Sequence, residues 1–298
     1  MNNKRPIHTV FSRQNLSLHK SAHAPQPGHI APPFKRRPDK RLIAAAIVVL
    51  VLLVFGIGSC VASPHQLPKD EFVTDKTYNW DNLHNNDGRY SYVENGTVKS
   101  RVGIDVSEHQ HYVDWHAVVN DGIEFAFIRV GNRGTSEGAI MADEYYNYNI
   151  DAAIAAGLDV GVYFFSQSVT EEEAIEEANY VLEKIRGENL TYPVVYDHEP
   201  IPGTSSRADG LSVEQMTANA RAFCETIEDA GYNVMIYGNS RDLNRYNLSE
   251  LSEWGVWLAR YETSTPDRSS GFSIWQYTNS GRVDGIDTAV DLNIHFLP

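Results

Sequence analysis

Cysteine is scarce in this chain: two in 298 residues, Cys60 and Cys224. One ends an apolar run and the other sits inside a helical pattern, so neither a disulfide framework nor a metal-ligand spacing is present. Bases are scarce over most of the length. Nine of the 25 Lys and Arg fall within residues 1–41, against one acid, Asp39. The remainder carries 16 bases and 38 acids, a balance of −22. An acidic body without a basic stripe argues against nucleic acid as a partner and does not adhere to anionic lipid. No glycine-rich phosphate loop follows the first strand pattern, and no repeat of about 20–50 residues recurs. The spacing of His109, His111 and His198 fits no standard metal motif. No metal and no cofactor is expected.

Long apolar runs are missing too, with one exception. From Leu42 to Ala62 there are 21 residues without a charge. About 20 helical residues span a bilayer core of about 30 Å, so residues 42–62 are expected as a transmembrane helix. Lys35, Arg36, Arg37, Lys40 and Arg41 abut its N-terminal end. The positive-inside rule then puts residues 1–41, a disordered basic tail, in the cytoplasm and the large domain outside the cell. The alternatives are a cleaved signal peptide and a lipoprotein anchored at Cys60, since Ile57-Gly-Ser-Cys60 loosely resembles a lipoprotein processing site. Residues 63–100, polar and Asn-rich with scattered aromatics, are expected as an extracellular linker. Those aromatics either pack on the domain or form a hairpin around Asn95-Gly96.

From residue 101 short β-type runs alternate with helical ones. Strands are expected at 102–106, 125–130, 160–165, 193–196, 234–237, 255–259, 273–277 and 289–292. Helices are expected after Thr170 and Ser212, each with a capping-box pattern, and over 143–156. Alternation of this kind implies parallel pairing with right-handed crossovers. About eight strands with fewer helices late in the chain read as an α/β fold, an irregular (β/α) TIM-like barrel.

Chemistry in such barrels collects at the C-terminal strand ends. The fourth strand ends in Pro193-Val-Val-Tyr-Asp-His-Glu-Pro200. Side chains at i and i+2 share a face about 6.5 Å apart, so Asp197 and Glu199 project together. Crowded carboxylates push one pKa upward, and a proton donor beside a charge stabiliser is what glycosidic cleavage requires. The other strand ends bring Asp105, Arg129, Tyr163, Tyr237, Trp257, Arg260, Gln276 and Asp291. Carboxylates, amides and aromatic faces together describe a carbohydrate cleft.

On these residues the chain resembles the glycoside hydrolase family 25 lysozymes, the N-acetylmuramidases. The resemblance is carried by Gly103-Ile-Asp-Val-Ser-Glu-His-Gln110, Gly161-Val-Tyr-Phe-Phe-Ser-Gln167, the Asp197-His-Glu199 strand, Trp257-Leu-Ala-Arg-Tyr261, Ile274-Trp-Gln-Tyr277 and Val290-Asp-Leu-Asn293. It implies a catalytic domain over 101–298, with about five βα units plus three further strands. It also implies hydrolysis of the β-1,4 bond between N-acetylmuramic acid and N-acetylglucosamine, with peptidoglycan glycan strands as the partner. Phe164 departs from the pattern, because some members have His after the tyrosine of this strand.

Glu199 is then the expected general acid. Asp197, expected to stay ionised, either stabilises the oxocarbenium-like transition state or orients a substrate acetamido group. Asp105 and Asp291 match further family acids that bind sugar, tune Glu199 or position water; Asp287 reads as a turn residue. Tyr163, Tyr237, Trp257, Gln276 and Arg260 are the expected sugar contacts. Arg129 and Arg260 either pair with the site acids or make structural salt bridges. Two rival functions remain open at this point: a chitinase-like glycosidase, and a non-catalytic membrane-tethered wall-binding module.

Overall fold

The computed structural model describes residues 66–298. The tail 1–41, the apolar run 42–62 and Cys60 lie outside the described residues. Among the described residues no helix is long and apolar enough to cross a membrane.

The stretch expected as a linker is folded from residue 66 onward. Strands β1 (Leu83–Asn86), β2 (Arg89–Glu94) and β3 (Thr97–Val98) form a small antiparallel sheet. Asp87-Gly88 and Asn95-Gly96 take positive φ at both residues, the geometry that hairpin turns with Asp-Gly and Asn-Gly supply. Tyr78 and Tyr92 are buried, and their rings pack on Phe296. Tyr78 also donates from its hydroxyl to the Phe272 carbonyl at 2.9 Å. Residues 66–100 are thus not a plain linker, and both options for their aromatics hold: Tyr78, Trp80 and Tyr92 pack on the domain, and Asn95-Gly96 turns the β2–β3 hairpin.

The barrel strands follow as β4 (Ser100–Val106), β5 (Phe125–Arg133), β7 (Asp159–Phe165), β8 (Val194–Asp197), β9 (Val234–Asn239), β10 (Gly255–Ala259), β11 (Ile274–Gly281) and β12 (Val290–Phe296). A short β6 (Ile140–Ala142) hairpins onto the end of β5. Neighbours from β4 through β11 run parallel, and β4 pairs with β5. Antiparallel β12 fills the gap between β11 and β4 and closes the ring. The parallel expectation is wrong for this last strand. Only residues 282–289 join β11 to β12, and a parallel crossover needs about a dozen or more.

Five strands are each followed by a helix: α1 (Trp115–Asn120), α2 (Tyr146–Ala155), α3 (Glu171–Lys184), α4 (Val213–Asp229) and the single turn α5 (Ser240–Leu243). The last three strands have none. Thr170 and Ser212 cap α3 and α4 by accepting from Glu173 N and Gln215 N, both at 3.3 Å. The reciprocal half of each box is absent, because Glu173 accepts from Val169 N and Gln215 turns to Asn219.

Period-two alternation sorts the strands into two cores. Phe125, Phe127, Val195, Met235, Tyr237 and Trp257 fill the barrel interior. Ala126, Ile128, Val194, Tyr196, Ile236 and Leu258 face the helices. Phe72 enters the N-terminal mouth, stacked on His295 at 5.2 Å and edge-on to Tyr192 at 5.3 Å. Gly103 has to be glycine: a Cβ there would stand 2.4 Å from the Phe125 ring. Phe164 is fully buried on the helix side against Tyr180, so its departure from the family pattern does not reach the cleft.

Candidate active site

The inward column of β8 continues from Val195 to Asp197, and one further step of the same period reaches Glu199. The backbone here is pinned from β7. Asp197 O accepts from Ser166 N at 2.7 Å, and Glu199 O accepts from Gln167 Nε2 at 3.0 Å. Ser166 is itself held by Glu177, a fully buried acid of α3 whose other oxygen takes Arg133 Nε at 2.7 Å.

Asp105, Asp197, Glu199 and Asp291 line one cleft of about 320 Å³ at the C-terminal end of the barrel, with Tyr163, Tyr237, Trp257 and Gln276. All four expected acids and four of the five expected sugar contacts thus come together. Arg260 does not line this cleft. It is exposed and faces an adjoining groove of about 620 Å³, and it makes no ion pair among the described residues. Asp287 is exposed on a bend, as expected of a turn residue. Arg129 does line the cleft but pairs with Asp143 and Glu108, not with the four acids.

Asp105 is held by two amides. Its Oδ2 accepts from Gln276 Nε2 at 2.7 Å and from Asn293 Nδ2 at 2.8 Å. Both amides are themselves oriented. Trp257 Nε1, which can only donate, gives its proton to Asn293 Oδ1 at 2.8 Å, so the Asn293 NH₂ must turn to Asp105. Tyr237 OH donates to Gln276 Oε1 at 2.7 Å, and Tyr261 OH donates to the same oxygen. Asn293 and Tyr261 were not singled out as site residues. Asn293 was visible only as the end of a motif, and Tyr261 as the neighbour of Arg260.

The environment pushes all four carboxyls upward. Burial raises Asp105 to about 6, with the Asn293 and Gln276 hydrogen bonds pulling the other way. Burial first, then the Asp105 charge, raises Asp291 to about 9. Burial, then the charges of Asp242 and Asp105, raises Glu199 to about 7. Asp197 is pushed well above the carboxylate range by burial, then by Glu199 and Asp105, against the opposing charge of Arg129. The direction of the Asp197 shift runs against the ionised state expected for it. The charge rests best on Asp105, which has two fixed donors. His198 points away from the two acids between which it sits in sequence, and burial lowers its pKa to about 4, leaving it neutral.

The family model for glycosyl hydrolases family 25 matches residues 104–286. The chain belongs to this family. Among curated relatives of this family 25 chain, the autolytic lysozyme of Clostridium acetobutylicum is 28% identical over 191 residues, covering 64% of this chain and 54% of the relative. Lysozyme M1 of Streptomyces globisporus is 31% identical over 205 residues, covering 64% and 66%. The chain thus spans about half to two thirds of the length of these relatives. Among solved structures, a bacterial lysozyme from Streptomyces coelicolor superposes with a TM-score of 0.55 at 28% identity, over 65% of this chain and 90% of that one. The modular autolysin LytC of Streptococcus pneumoniae, solved with a synthetic peptidoglycan ligand, gives 0.59 at 26% identity over 71% and 51%.

Proposed function

We propose that this family 25 hydrolase is a muramidase that cleaves the β-1,4 bond between N-acetylmuramic acid and N-acetylglucosamine in peptidoglycan. One observation carries the reading. Glu199 lines both the acid-lined cleft and the adjoining groove, so it stands where the two meet. A sugar seated on either side places the glycosidic oxygen beside it. With its pKa raised to about 7, Glu199 still holds its proton near neutrality and can deliver it to the leaving oxygen.

The other acids divide the remaining work. Asp105, fixed as the anion, supplies negative charge beneath the sugar that develops oxocarbenium character. Asp197 Oδ1 is buried with no hydrogen-bond partner among the described residues. That oxygen is the acceptor for a substrate acetamido N–H, which orients the group for substrate assistance. Tyr163, half-buried at the cleft, presents aromatic surface to a sugar ring, while the buried Trp257 and Tyr237 act through the amides they orient. The lysozyme and autolysin relatives favour this reading over a chitinase-like enzyme, and a complete set of four acids favours it over a wall-binding module. Digestion of purified peptidoglycan beside purified chitin tests the choice: soluble fragments from the first alone are expected, and release from chitin at a similar rate would contradict it.

We further propose, from the sequence of residues 42–62, that the enzyme is held at the outer face of the cell membrane with residues 1–41 inside. The test is alkaline extraction of membranes from cells expressing the full chain. Retention that survives Cys60→Ala supports a transmembrane helix, retention lost with Cys60→Ala means a lipid anchor, and release of the unaltered chain contradicts both.

A further inference from the structure

A second aromatic surface lies outside the cleft. Tyr112 is 70% exposed and Tyr148 is 43% exposed. The Tyr112 ring meets both the Tyr145 and Tyr148 rings at 4.9 Å, nearly perpendicular to each. Ring area held open to water at this scale is costly unless something covers it.

The cluster is built, and it is tied to the cleft. Asp143 is the tie. It accepts from Tyr145 N at 3.0 Å, from Glu108 N at 2.8 Å and from Arg129 Nε at 2.8 Å. Arg129 is part of the cleft wall. His109 and Gln110 line the cleft, and Tyr112 follows two residues later. With consecutive Cα atoms about 3.8 Å apart, Tyr112 lies within about 8 Å of that wall. Between them His111 adopts φ 56 and ψ −138, a conformation unfavourable for a residue with a side chain. Tyr148 OH, which donates to Val113 O at 3.1 Å, helps to hold the turn.

The chemistry of the occupant follows. The patch continues from the cleft wall through His109 and Gln110, so its occupant is the same polymer that enters the cleft. Open tyrosine faces beside a sugar cleft suit the neutral C–H faces of further pyranose rings, with the phenol available to a hydroxyl. We propose that Tyr112, Tyr145 and Tyr148 form an accessory platform that binds the glycan strand beyond the sugars held in the cleft. The proposal rests on the muramidase reading and deepens it: this surface makes the enzyme prefer long strands to short fragments.

The test uses the full chain carrying Glu199→Gln, so that ligand persists. Binding is measured to a purified tetrasaccharide of alternating N-acetylglucosamine and N-acetylmuramic acid, and to long glycan strands freed of peptide. The ratio of the two affinities is the readout. Tyr112→Ala is expected to reduce the preference for long strands about fivefold, the scale of one lost aromatic contact. Tyr112→Phe, which keeps the ring, is expected to restore most of it. An unchanged ratio in a folded Tyr112→Ala, Tyr148→Ala double variant overturns the platform while leaving the muramidase reading intact. A parent chain that binds neither ligand overturns both.

Discussion

Asp105 and Asp291 stand directly opposite each other across the antiparallel pair β4–β12. Like charges in that relationship repel, and burial adds to the cost of ionising both. The pair is relieved by sharing a proton: Asp105 takes the charge, and Asp291 keeps its proton up to about pH 9. The antiparallel return of β12 is what creates this face-to-face register.

A stability prediction follows. The Asp291 pKa is raised in the fold from about 3.9 in an unfolded chain to about 9. A raised acid contributes stability that is full below the unfolded value and is lost as pH rises through the folded value. Asp291→Asn does not titrate and can still donate to Asp105. Its melting temperature relative to the parent is therefore expected to improve as pH rises from about 4 to about 9. Melting curves across that range check this; a gap that shrinks with pH contradicts it.

The rate profile should be bell-shaped. Activity is expected to fall on the alkaline side as Glu199 loses its proton near pH 7, and on the acid side as Asp105 gains one near pH 6. Both are properties of a coupled cluster, so the limbs are macroscopic. Asn293→Ala removes one donor from Asp105 and should move the acid limb upward, narrowing the bell. An acid limb that stays in place means Asp105 is not the group that sets it.

Trp257 reaches catalysis through Asn293. Trp257→Phe keeps the ring stacked on Phe127 but removes the donor that fixes the amide. Losing such a buried partner costs on the order of 1–3 kcal/mol, and kcat is expected to drop by about tenfold or more while the acid limb shifts upward. A normal pH profile in the variant would reduce Trp257 to a packing role.

Phe72 tests the folded boundary. It fills the barrel mouth with 1% of its surface exposed, and Phe72→Ala should cost about 3–5 kcal/mol. A chain beginning at residue 101 is expected to melt lower and less cooperatively than one beginning at 66. Equal melting of the two would restore residues 66–100 to the status of a linker.

Much of the barrel was legible in the sequence because its signal is local. Period-two alternation marked Phe125, Phe127 and Trp257, and a strand end with acids at i and i+2 marked Asp197 and Glu199. What was missed depends on partners remote in sequence. Glu177 lies on the helix face that carries Ala174, Ala178 and Val181, yet only Arg133 and Ser166 explain its burial. Asn293 becomes part of the site only once Asp105 and Trp257 are beside it. The upward push on the Asp197 carboxyl comes first from its burial, which depends on how the barrel packs around it. Asp87-Gly88 carried the same turn signal as Asn95-Gly96, but polar flanking sequence hid the sheet it closes.

The central claim is that Glu199 protonates the bond on the muramic acid side. Mass spectrometry of fragments released from purified peptidoglycan by the full chain, beside Glu199→Gln, tests it most directly. The account predicts muropeptides with new reducing-end N-acetylmuramic acid, and a loss of about 10²-fold or more in the folded variant. Reducing-end N-acetylglucosamine, or release undiminished by Glu199→Gln, would contradict it.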